Sequence, residues 1–169
     1  MNYFEAEVAA SAQALDLFYV KIAVPQKGGL KLKTSPFDAV IFAQGRAIVF
    51  EMKSQALHGS FPLGNIEEHQ LEGLARAARE GLPAYLLFNM RRKPVRKGRP
   101  KSKNQAWALP FENYIDLITS LPLWRGKPRR SIPLEFFDDA RYFIELPRIR
   151  VEDSYKGKMV PTWDLRRLL

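Results

Sequence analysis

Residues 38–53 read Asp-Ala-Val-Ile-Phe-Ala-Gln-Gly-Arg-Ala-Ile-Val-Phe-Glu-Met-Lys (DAVIFAQGRAIVFEMK). Two short runs rich in β-branched and aromatic residues, DAVIF and AIVFEMK, flank Ala43-Gln44-Gly45-Arg46, and that pattern predicts a β-hairpin. With the turn centred on Gln44-Gly45, residues 43 and 46 flank it, so cross-strand partners have numbers that sum to 89. Asp38 then falls opposite Glu51. Opposed side chains have Cβ atoms roughly 4.5–5.5 Å apart, so two carboxylates placed this way repel and call for a cation between them. Lys53, two positions beyond Glu51, projects from the same face, while Ile48, Phe50 and Met52 point to the other face and a core.

Working outward, Tyr3 to about Leu17 carries a helical apolar stripe of Phe4, Val8 and Leu15. Phe18–Val24 reads as a strand bounded by Pro25 and Gly28-Gly29. After the hairpin, Asn65 is expected to cap a helix over Ile66–Glu80, with Glu68 three residues on and Gly81 ending it. Pro83–Phe88 and Ala106–Leu109 read as strands, Phe111–Leu121 as a helix, and Tyr142–Leu146 as a late strand or extended edge. The order is helix, three strands, helix, strand (αβββαβ). It predicts an α/β fold with a mixed central sheet flanked by helices, in one domain over 1–169 with the basic loop 91–105 as an insertion. The part beyond Leu121 is given no function other than dimer or DNA contact.

Composition narrows the chemistry. The 169 residues include no cysteine and two histidines, His58 and His69, which excludes disulfides, thiolate sites and a histidine-based metal cage. No run of about 18 apolar residues is present, so no membrane-spanning helix is expected, and the acidic start MNYFEAE does not read as a secretory signal. A cytoplasmic setting suits such a chain. The net charge of +9 is local: residues 91–103, RRKPVRKGRPKSK, hold eight Lys or Arg and no acid, and outside them 19 basic residues face 18 acidic ones. Arg91, Arg92, Lys93, Arg96, Lys97, Arg99, Lys101 and Lys103 are therefore candidate DNA-phosphate contacts, a solvated loop or an anionic-lipid patch being the alternatives. A smaller cluster, Arg125, Lys127, Arg129 and Arg130, follows in RGKPRR.

Mg²⁺ is held by one or two carboxylates while keeping several waters, so Asp38 and Glu51 are candidate ligands, with Mn²⁺ also expected to serve. Such a cation can activate water and neutralise phosphate charge, and Lys53 could orient the attacking water or stabilise the transition state. The bland alternative is an Asp at a strand start and a solvated Glu51-Lys53 pair.

Ser35-Pro36-Phe37-Asp38, followed thirteen residues on by Glu51-Met52-Lys53, resembles the PD-(D/E)xK nuclease signature. Phe50 to Leu74, with Phe50-Glu51-Met52-Lys53, Ser60-Phe61-Pro62-Leu63-Gly64-Asn65 and His69-Gln70, is similar to the matching stretch of RecU-type Holliday-junction resolvases. A compact relative of the archaeal Hjc type, or one from a bacteriophage, fits the length equally well. The resemblance covers about residues 35–75. It implies a restriction-endonuclease-like core, a homodimer, and Mg²⁺- or Mn²⁺-dependent resolution of four-way DNA junctions by paired symmetric nicks, in a bacterial, archaeal or phage-infected cell. Asp38 and Glu51 match the metal-binding carboxylates, Lys53 the motif lysine, and Gln70 the helix glutamine beside the site. Phe4-Glu5-Ala6-Glu7-Val8 resembles the family's first-helix pattern, which makes Glu5 an additional metal-site acid. The stalk that RecU proteins insert before the catalytic Asp is absent.

Each residue also has an ordinary reading. Glu5 suits a first helical turn, and His69 reads as a surface or packing residue. Trp107, Trp124 and Trp163 read first as core or dimer contacts, with base stacking as the alternative. Other nucleases of the superfamily acting on linear or damaged duplex, and a non-catalytic junction-binding protein, remain open as alternatives.

Overall fold

The structure, a computed structural model, describes residues 3–22, 26–27, 30–31, 35–56, 60–91, 104–123, 125–153 and 157–169. Helix α1 (Tyr3–Ala14) leads into strand β1 (Phe18–Lys21), followed by the two-residue strands β2 (Gln26–Lys27) and β3 (Leu30–Lys31). Strands β4 (Ala39–Ala43) and β5 (Arg46–Ala56) form the hairpin, and β6 (Ser60–Pro62) leads through a 3-10 turn into helix α2 (Glu68–Arg79). Strands β7 (Ala84–Arg91) and β8 (Gln105–Pro110), helix α3 (Tyr114–Ser120) and strand β9 (Ser131–Pro133) come next. Strand β10 (Ile144–Glu145) and a last hairpin, β11 (Arg148–Asp153) and β12 (Lys158–Trp163), complete the strands.

Six strands make one mixed sheet in the order β1-β4-β5-β7-β8-β10, in which only the β5–β7 pair is parallel. Helix α2 is the crossover that this parallel pair requires. The hairpin has the expected register: Ala39 pairs with Phe50 and Ala43 with Arg46. Its turn places Gln44 (φ 51) and Gly45 (φ 73) in the left-handed region, which matches the twist of the flanking strands. The Asp38 N–H donates to the Phe50 carbonyl at 3.1 Å, which extends the ladder by one step and sets Asp38 beside Glu51.

The alternation along β5 divides the interior in two. Val49 faces a cluster with Phe61, Leu74, Leu86, Phe88, Trp107, Leu117 and Phe137, under α2 and α3. Ile48, Phe50 and Met52 face a second cluster with Phe4, Val8, Ala12, Leu87, Trp163 and Leu168, under α1. Trp107 and Trp163 are thus core residues, 2% exposed each; Trp124 lies outside the described residues. Phe4, Val8, Ser11 and Ala12 recur at helical spacing and form the buried stripe of α1.

Several boundaries depart from the sequence reading. Asn65 does not cap α2: it ends the 3-10 turn Leu63–Asn65, and the cap position is Glu67. The Ile66 N–H is already taken by the Leu63 carbonyl at 3.0 Å, so the chain turns once before the helix can start. The C-terminal stop holds, because Gly81 (φ 78) lets its own N–H and that of Leu82 reach back to Ala78 and Ala77. The late strand is only Ile144–Glu145, and the hairpin of β11 and β12 was not foreseen. The predicted insertion leaves the sheet after Arg91 and rejoins it at Gln105. Among the described residues, no helix is long and apolar enough to cross a membrane.

Candidate active site

Strand β5 carries Glu51 and Lys53 on the α2 side of the sheet, and Glu51 is buried at 3% exposure. Its Oε1 receives two donors: the Lys53 ammonium at 2.9 Å and the Gln70 side-chain amide. Lys53 Nζ also donates to Gln70 Oε1 at 2.7 Å, so Glu51, Lys53 and Gln70 close a triangle between β5 and α2. Gln70 is oriented by its own helix, because its Oε1 accepts the Glu67 N–H at 2.9 Å. With both ends of the amide committed, Gln70 has one orientation, and it holds Lys53 against Glu51.

Asp38 enters from the strand before. Its Oδ2 accepts the Met52 N–H at 2.7 Å, which fixes the carboxylate across the hairpin. The segment leading into it presses on α2 so closely that a Cβ on Gly73 would lie 2.2 Å from the Pro36 carbonyl oxygen. Glycine is disfavoured in a helix interior by about 1 kcal/mol relative to alanine, so its use there is explained by this approach.

The electrostatics follow from burial. Loss of water pushes the Glu51 carboxyl up to about 7; the hydrogen bond from Lys53 opposes this, and the charge and hydrogen-bonding contact of Asp38 reinforce it. Asp38 is also raised, by burial first, against the Met52 N–H, with Glu5 adding to the rise and Lys53 and Lys21 opposing it. Glu5, on α1, is ion-paired with Lys21. The neighbourhood therefore gathers three carboxylates, Glu5, Asp38 and Glu51, against two ammoniums, Lys21 and Lys53.

Adjacent oxygen donors, Glu51 buried and Asp38 half-buried, with an excess of negative charge suit a hard divalent cation. Burial first, and the Asp38 charge after it, also favour a proton on Glu51. The fit is that of a two-carboxylate site. Among the described residues no cluster of three or more Asp, Glu, His or Cys is disposed to hold a metal, and Glu5 is engaged with Lys21.

Tyr19 was not singled out from the sequence. Its hydroxyl is buried without a hydrogen-bond partner, and burial, with the charges of Glu5 and Asp38, pushes it up to about 12. An aromatic at a strand position reads as core, and nothing local marks its hydroxyl as facing acids. His69 stays on the α2 surface, 3.3 Å from Glu67, and His58 lies outside the described residues. Of the basic stretch, Arg91 is described. It hydrogen-bonds Asn89 at 2.9 Å and stacks over the Tyr3 ring at 4.3 Å. Arg92, Lys93, Arg96, Lys97, Arg99, Lys101 and Lys103 lie outside the described residues.

No known protein-family model matches the chain, and no curated protein matches it. Among solved structures it is similar to Hjc, a Holliday junction resolvase from the archaeal hyperthermophile Archaeoglobus fulgidus. The identity is 16% and the TM-score 0.41, over 64% of this chain and 75% of that one. Similarity at that level assigns no role to any residue.

Proposed function

We propose that the protein is a metal-dependent endodeoxyribonuclease that resolves four-way DNA junctions by paired symmetric nicks, acting as a homodimer. The observation that carries the nuclease reading is the buried Glu51 beside the half-buried Asp38, with Lys53 pinned to Glu51 by Gln70. The branched substrate and the dimer rest on the resemblance of residues 35–75 to junction resolvases.

Asp38 and Glu51 would hold Mg²⁺ or Mn²⁺, which supplies Lewis acidity and charge neutralisation for phosphodiester hydrolysis. The chain's own residues do the rest. Hydrolysis joins a water oxygen to phosphorus and breaks the bond from phosphorus to the leaving sugar oxygen, which takes up a proton. Lys53, half-buried with its ammonium fixed by Glu51 and Gln70, presents a positive charge toward the phosphate as negative charge grows on it. Gln70 positions Lys53 and Glu51. The basic stretch from Arg91 to Lys103 supplies phosphate contacts, so binding should weaken steeply with salt and carry little base preference.

The test is incubation with a labelled four-way junction and an equal-length linear duplex, in Mg²⁺ or EDTA, beside Asp38→Asn. Symmetric Mg²⁺-dependent cuts confined to the junction, absent in Asp38→Asn while binding persists, are expected. Binding without cleavage in any metal would overturn the enzyme reading, and equal cutting of both DNAs would move it to a general nuclease.

A further inference from the structure

The segment Arg125-Gly126-Lys127-Pro128-Arg129-Arg130 is the second concentration of positive charge in the chain, and the function above gives it no task. In the structure it lines a cleft of about 780 Å³ whose wall also includes Ser60 and Glu135. Arg125, Lys127, Arg129 and Arg130 thus line it together with Glu135. Arg125, Lys127 and Arg130 are exposed and Arg129 is half-buried. The turn is a built feature: Arg125 (φ 53) and Gly126 (φ 74) are both left-handed. A non-glycine residue holds that conformation at a steric cost, so the rest of the segment must impose it.

The anchoring is visible on the C-terminal side. The Arg130 carbonyl accepts the Leu63 N–H at 2.9 Å, and β9, which follows, pairs with β6 from Ser60↔Pro133 to Pro62↔Ser131. β6 is in turn tied to the strand of the acidic site. Gln55, on the same face of β5 as Glu51 and Lys53, donates its side-chain amide to the Ser60 carbonyl at 3.0 Å. A hydrogen-bonded path therefore runs from the candidate active site to the rim of the basic cleft. From Glu51 to Gln55 the strand advances about 13 Å. A DNA strand advances about 3.4 Å per phosphate along the duplex axis, so that span corresponds to about four nucleotides.

We propose that this cleft grips the DNA backbone, taking phosphates about four or more nucleotides from the one at Glu51, on the side of the site toward β6. The proposal rests on the nuclease reading for what lies at Glu51, but it concerns binding and stands apart from catalysis. The cations line a cleft whose wall at Ser60 is tied by hydrogen bond to Gln55, four residues along β5 from Glu51, so a polyanion lying along β5 would meet both. An anionic membrane is the competing partner.

The experiment uses Asp38→Asn chain as the parent, so that DNA is bound without being cut. Its affinity for a fluorescent four-way junction and a linear duplex is measured by anisotropy in EDTA over a series of salt concentrations. The double substitution Lys127→Ala/Arg130→Ala should lower the steepness of log K against log[salt] by about 1.8, the release expected for two phosphate contacts. The charge-preserving pair Lys127→Arg/Arg130→Lys should retain the parent slope, and neither pair removes the backbone carbonyl of Arg130 that holds the segment.

An unchanged slope and affinity in the alanine pair would overturn the proposal while leaving the nuclease reading intact. A parent that binds neither DNA would overturn both. Vesicles of phosphatidylserine and phosphatidylcholine form the second arm. Loss of vesicle binding in the alanine pair, with DNA affinity kept, would reassign the cleft to a lipid surface.

Discussion

Two carboxylate clusters lie on opposite faces of the same sheet, and they are balanced differently. On the α1 face, Glu7 meets Arg148 at 2.6 Å, the indole N–H of Trp163 at 3.3 Å and Arg91 at 4.0 Å. Arg148 stacks on Trp163 at 4.4 Å, and Ser11 Oγ accepts the Trp163 N–H at 3.0 Å, so this cluster clamps the last hairpin onto α1. One guanidinium, that of Arg148, is hydrogen-bonded to the carboxylate, and a second, that of Arg91, stands at 4.0 Å, so cationic charge matches or exceeds the acid. On the α2 face, Asp38 and Glu51 share one ammonium, Lys53, and Glu51 is buried at 3% exposure. Burying charge that is not fully paired is costly.

The comparison is broken most severely by removing the second cluster's charge. Asp38→Asn or Glu51→Gln should reduce Mg²⁺-dependent junction cleavage on the order of 10³-fold under single-turnover conditions. Glu7→Gln should leave the cleavage step within about threefold, a difference of well under 1 kcal/mol.

Gly73→Ala comes next, because its methyl would meet the Pro36 carbonyl oxygen at 2.2 Å. Either α2 or the segment carrying Asp38 must shift, and overpacking of this kind costs about 1–3 kcal/mol. Chemical denaturation should show that loss, together with slower cleavage, although alanine is the better helix former.

A smaller effect concerns pH. Glu51 is pushed up to about 7 in the folded chain from an ordinary value of 4.5, so the native state holds its proton more tightly than the unfolded one. The stability this contributes is complete below the unfolded value and is lost as pH rises through 4.5 toward about 7. In EDTA, melting temperature should therefore fall over that window. Glu51→Gln should flatten the fall and melt several degrees above the parent at pH 8.

The least effect is expected from the clamp. Glu7→Gln should lower stability by about 1 kcal/mol, or about 2–4 °C in melting temperature. The sign is opposite to that of Glu51→Gln, and equal signs would erase the distinction between the two clusters.

How far the sequence reveals this arrangement depends on the range of the interactions involved. The hairpin was legible because a two-residue turn fixes register, and register alone brings Asp38 to Glu51. Gln70 and Lys53 were legible through the motif they resemble. The Gly73–Pro36 contact was not, since an isolated helical glycine does not announce which distant backbone it admits. Nor was the hairpin of β11 and β12. Strand β11 alternates charged and apolar residues, but β12 carries Pro161 and a single charge, and what fixes the hairpin is the α1 surface more than a hundred residues earlier. The resemblance singled out Glu5, whereas the pairing of Glu7 with Arg148, 141 residues away, has no local mark in the sequence.

Calorimetric titration of Mn²⁺ into the metal-free protein at pH 7.5 reads directly whether the Asp38–Glu51 pair binds a divalent cation. We expect saturable binding with release of protons, since Glu51 still carries part of a proton near that pH, and loss of both signals in Glu51→Gln while Glu7→Gln keeps them. Binding of equal affinity and proton release in Glu51→Gln would contradict the account.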